Sequence, residues 1–108
     1  MNYFDKYGVE NSNLKEILSK LENIFNTPFT VGGGWGQVLY RPPIDYCQSL
    51  VLAQNNYQDS DGEQLYDQDY PKYKYIFEVN DVDIEVSNKL ERQLTKDGFM
   101  SLLNKEKI

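Results

Sequence analysis

The chain has 108 residues, 40% of them hydrophobic, with 17 acidic and 11 basic residues and no histidine, for a formal charge of −6. That length fits one domain, and the negative charge disfavours direct binding to nucleic acid or anionic membranes while favouring a cationic partner. Without histidine there is no Ser-His or Cys-His nucleophile pair and no histidine zinc site, and the lone Cys47 makes neither an internal disulfide nor an all-thiolate metal site.

The N-terminal stretch MNYFDKYGVE lacks the basic-then-apolar pattern of a signal peptide, and no apolar run approaches the ~20 residues that span a bilayer. A cytoplasmic location is the expectation. The first clear element is NLKEILSKLENIF, in which Leu14, Ile17, Leu18, Leu21, Ile24 and Phe25 recur at helical spacing. Asn13 is placed to cap it, and Asn26, Thr27 and Pro28 to stop it. FTV and QVLYR flank the glycine run as strand, loop and strand, and Pro42 and Pro43 break the second strand. Leu50 to Ala53 is an uncharged apolar run that suits a central strand, although a short helix over 46–54 satisfies the same pattern.

From Asn55 to Lys72 the only apolar aliphatic residue is Leu65, so 55–72 reads as an acidic, tyrosine-rich loop. YKYIFEV then reads as a strand. DVDIEV alternates like a half-buried strand entered through a turn at Asn80-Asp81, but Val82, Val86, Leu90 and Leu94 also stand four apart, so 81–86 fits the start of a helix equally. SNKLERQLTKDG is helical, with Ser87 or Asn88 as cap, Gly98 as the left-handed end and Phe99 placed to fold back. FMSLL is a last apolar segment, and NKEKI is expected to fray. These elements predict an α+β fold: an antiparallel sheet of about four to five strands packed with two main helices, residues about 13–25 and 87–97.

The glycine run VGGGWG departs from the dinucleotide fingerprint, because Gln37 stands where its third glycine belongs, and no Gly-Lys-Ser/Thr triplet follows. It reads as a connection between strands, with Trp35 either folded on the sheet edge or exposed as an anchor. DSDGEQLYDQD departs from the EF-hand loop, since the alignment puts Tyr57 at its first position and Gln68 at its twelfth. Cys47 lies near Asp45, which raises rather than lowers a thiol pKa, so it reads as a small core residue. No catalytic residue, metal or cofactor is assigned.

Charge is concentrated. Between Asp59 and Glu85 nine acids face only Lys72 and Lys74, a net −7, while the rest of the chain is +1. Five of the nine tyrosines, Tyr57, Tyr66, Tyr70, Tyr73 and Tyr75, fall in 57–75. Carboxylates interleaved with tyrosines suit a surface rich in lysine and arginine. The segment YQDSDGEQLYDQDYPKYKY, the chain length and the single-domain size resemble the small acidic immunity proteins that bacteria make beside polymorphic or contact-dependent toxins. That resemblance implies an inhibitor that occludes a cationic toxin domain, often a nuclease, by electrostatically steered binding. The expected partner-binding residues are Tyr57, Asp59, Asp61, Glu63, Tyr66, Asp67, Asp69, Tyr70 and Trp35. The alternatives are an acidic DNA mimic, an adaptor, or a small ligand-binding domain or enzyme.

Overall fold

The computed structural model describes residues 2–34, 37–41 and 49–107; Trp35 and Cys47 lie outside them. Strand β1 (Asn2–Val9) leads into helix α1 (Leu14–Phe25). Asn13 caps the helix by accepting from the Glu16 amide at 3.2 Å, and Asn26 ends it in the left-handed region at φ 54°. Strands β2 (Thr30–Gly34), β3 (Gln37–Arg41) and β4 (Ser49–Gln54) follow, then a hairpin of β5 (Asn56–Asp59) and β6 (Gly62–Leu65). Strand β7 (Tyr75–Asp83), helix α2 (Ile84–Leu94), a short 3-10 turn (Lys96–Gly98) and strand β8 (Ser101–Lys107) complete the order.

Among the described residues the main sheet has six antiparallel strands in the order β2-β3-β4-β7-β1-β8, and β5 and β6 pair only with each other. The architecture is α+β as the sequence implies, with one more strand in the main sheet than expected. The extra pairing comes from both chain ends. β1 carries Asp5 and Lys6 at its centre and breaks a clean apolar alternation, yet it lies between β7 and β8. β8 replaces the frayed end, and its Lys105, Glu106 and Lys107 are the charges that edge strands tolerate.

Three local expectations are corrected. Residues 81–86 are neither all strand nor all helix: β7 runs to Asp83, and α2 begins at Ile84 rather than 87 and ends at Leu94 rather than 97. The cap is Asp83, whose carboxylate accepts from the Val86 amide at 2.9 Å, while Ser87 is buried inside the helix and donates to Asp5 at 2.5 Å. Asn80-Asp81 is not a turn but part of β7. The register with β1 slips there, because Tyr3 pairs with Val82 and Phe4 with Asn80, and Asp81 takes φ 66° as the extra residue of a bulge.

Alternation divides the sheet into two covered faces. Tyr7, Val9, Leu50, Leu52, Tyr75, Phe77 and Val79 meet Ile17 and Leu21 of α1 and Leu90 and Leu94 of α2 in one core. Phe25, Phe29 and Phe77 pack there as tilted rings with centroids 5.9 to 6.4 Å apart. Lys6, Gly8, Val51, Ala53, Ile76 and Glu78 point the other way, and the chain from Asn55 to Lys74 lies over them. Ala53 and Ile76 are fully buried beneath it.

Candidate functional site

The 55–72 segment is not a loop throughout. It is the β5–β6 hairpin followed by a turn-rich return, and one residue, Asn55, holds its base closed. Asn55 is fully buried. Its side-chain amide donates to the carbonyls of Tyr70 and Tyr73, both at 2.9 Å, and its side-chain oxygen accepts from the Asp67 amide at 2.8 Å. Its backbone pairs with Lys74 at 2.9 Å and Tyr66 at 2.7 Å. Sequence reasoning missed Asn55; its one signal is an asparagine directly after an apolar strand, where Asn favours turn-forming backbone bonds.

Lys6 rises from β1 into this base. Its ammonium pairs with Asp67, and it lies 5.7 Å from the Tyr70 ring centroid. Burial disfavours its charge, but the hydrogen bond to Asp67 and the charges of Asp67 and Glu78 outweigh that and hold its pKa above the usual lysine value. The Tyr66 hydroxyl donates to Glu78. Burial first, then that bond and the Glu78 charge, push the phenol pKa well up. Lys6 was also missed, since nothing local in YFDKYGV links it to a carboxylate 61 positions away.

The expected binding residues therefore separate. Tyr66 and Asp67 belong to the fold: Asp67 is 9% exposed and paired with Lys6, so it is withdrawn from the binding surface. Glu63 and Asp61 are exposed, and Tyr57 is half-buried on β5. Gly62, at φ 106°, closes the hairpin with a conformation that favours glycine. Asp59 is placed by its backbone as the partner of Gly62, and Trp35 lies outside the described residues. Tyr57 and Glu63 line an open groove of about 490 Å³ with Gln54, Asn56, Gln58 and Lys74. Asp69 and Tyr70 fall in a second hollow of about 330 Å³, floored by Tyr70, Pro71, Tyr73 and Leu103. Lys72 lies over the Tyr73 ring there, at 5.0 Å from its centroid.

The fold also divides the charge that the sequence groups together. Asp81 accepts from Asn2 at 2.5 Å, Asp83 caps α2, and Glu85 lies in the helix's first turn, where negative charge is favoured. Asp81 and Asp83 close β7, about 20 and 26 Å from Tyr75 at the usual rise of a strand, and Glu85 follows in α2. Asp59, Asp61, Glu63 and Asp69 remain on the hairpin side. Among the described residues no cluster of three or more Asp, Glu, Cys or His could hold a metal ion, and no helix is long and apolar enough to cross a membrane. No family model, curated protein or solved structure matches the chain.

Proposed function

We propose that the protein is a small inhibitor of a cationic protein, of the immunity type, and that the β5–β6 hairpin and the Asp69–Tyr73 hollow make its binding surface. The observation that carries this reading is a division of labour within one segment. Asn55, Asp67 and Tyr66 anchor the base, while Asp61 and Glu63 stand exposed on a hairpin that shares no ladder with the main sheet. A hairpin fixed at its base loses less entropy on binding than a free acidic loop. The hollow offers a basic side chain the apolar wall of Tyr70, Pro71 and Leu103, beside Lys72 on the Tyr73 ring, and Asp69 at the rim. Complementary charge supplies fast encounter, and the aromatic contacts supply residence time.

The test is association kinetics with the partner isolated on the immobilised chain. The triple variant Asp61→Asn, Glu63→Gln, Asp69→Asn is expected to slow association by about tenfold at low salt and to flatten its salt dependence. A partner with an acidic contact domain, or unchanged kinetics, would refute the assignment.

A further inference from the structure

The two edges of the main sheet are built differently. β8 is guarded by Lys105, Glu106 and Lys107, and its pairing with β1 is interrupted by a register shift between Lys6 and Tyr7. β2, Thr-Val-Gly-Gly-Gly, has no charge and no proline. It pairs with β3 in unbroken register from Thr30–Arg41 to Gly34–Gln37, and no described strand pairs with its outer side. Val31 is 69% exposed on it, the most exposed large hydrophobic residue among those described. A regular edge of this kind presents outward N–H and C=O groups that another extended chain can pair with.

Gly32 adds a second observation. Its φ is not in the left-handed region, and among the described residues a Cβ there would meet only the Arg41 Cδ, at 3.8 Å. Neither backbone conformation nor packing against the described residues requires glycine. Glycine weakens a strand, and where nothing internal demands it, it often marks the close approach of another backbone.

From these features we infer that β2 is a strand-addition site, which receives an extended, basic, β-forming segment of the protein partner as a seventh strand. The inference rests on the proposed cationic partner and locates where its backbone docks. A second copy of this chain is the poorer occupant, because each copy carries −6. The acidic hairpin adjoins this end of the sheet: β5 lies against β3, the strand next to β2, so the charge of Asp61 and Glu63 draws a basic segment toward the edge. Main-chain bonds supply affinity in such additions, and the charge of the added segment supplies selectivity.

The probe is a capped peptide of alternating lysine and valine, about ten residues long, with the glutamate–valine peptide as control. Successive strand residues point their N–H groups to opposite edges, so of Val31→Pro and Gly32→Pro only one removes a bond to β3. The variant that keeps the parent's thermal unfolding is the one that lacks only an outward donor. Amide hydrogen exchange on the full chain is expected to slow by at least about tenfold at outward amides of 31–34 with the lysine–valine peptide. It should stay unchanged in β8, and the protection should be lost in the tolerated proline variant.

No protection at β2, or equal protection at β8, overturns the inference. So does protection that appears without peptide and grows with protein concentration, which assigns the edge to a second copy. Resonance shifts at Asp61 and Glu63 without protection at β2 would remove the edge inference alone and leave the acidic surface in place. Equal protection by the glutamate–valine peptide would remove the basic character of the occupant, and the cationic-partner reading with it.

Discussion

Gly8 lies on β1 beneath the ring of Tyr73, and a Cβ on it would sit 2.6 Å from two carbons of that ring. The ring is buried and packs edge-on against Tyr70, which limits where it can move. Gly8→Ala is expected to destabilise by about 1–3 kcal/mol, the usual range for overpacking. Tyr73→Leu in the same chain should recover part of the loss in urea unfolding, because the clash is with the ring. A parallel contrast separates two aspartates two positions apart. Asp67→Asn weakens a charge-assisted bond and leaves the Lys6 ammonium part-buried without its partner, which should cost about 2 kcal/mol, whereas Asp69→Asn should stay within about 0.5 kcal/mol. Both aspartates look alike in YDQDY. Only the fold places Lys6 under one of them, so a run of acids could be counted from sequence but not sorted into structural and exposed members.

Among the elements, the 55–74 excursion depends most on a single side chain. Asn55→Ala removes three side-chain hydrogen bonds from a fully buried position and leaves the Tyr70 and Tyr73 carbonyls short of a donor. At about 1 kcal/mol per bond the expected loss is about 3 kcal/mol, with hydrogen exchange rising first in 56–74 rather than in β4 or β7. The run at 46–54 fits strand and helix alike, and Gly32, Gly33 and Gly34, expected to connect two strands, lie within β2, but elements with strong local signals were legible: α1 from its apolar period and Asn13 cap, and β3 and β7 from their strand-forming runs. β1 and β8 were not. β1 places Asp5 and Lys6 on opposite faces and gives each a long-range partner, Ser87 of α2 for one oxygen of Asp5, whose other oxygen has none among the described residues, and Asp67 for Lys6. β8 is an edge strand, whose charge pattern reads as a solvated tail until β1 is present to pair with it. The start of α2 was obscured because alternation and fourfold spacing coexist across 81–86, and the contact that decides between them is the Asp83 carboxylate on the Val86 amide.

At the scale of the whole molecule, protons are held more tightly by the folded chain than by the unfolded one at four sites among the described residues. Lys6 is kept above the usual lysine value by Asp67 and Glu78 despite its burial, and Tyr7, Tyr66 and Tyr75 are pushed up chiefly by burial. Below about pH 10 both states keep these protons and the groups add no pH dependence. Above it the unfolded chain releases protons that the folded chain still holds. The unfolded state then binds fewer protons, so stability falls as pH rises, by at most about 1.4 kcal/mol per pH unit for each group. Urea midpoints measured from about pH 9 to pH 11.5 should therefore decline steeply, with a slope set by more than one proton. Tyr66→Phe separates this linkage from general alkaline weakening. It removes the bond to Glu78, which lowers stability at neutral pH, but it also removes one titrating phenol. The variant should start lower and decline less steeply, so that the two curves converge toward high pH. Parallel curves would mean that the Tyr66 phenol is not protected in the fold, and with it would go the view that the base of the excursion is a closed, anchored layer over the sheet.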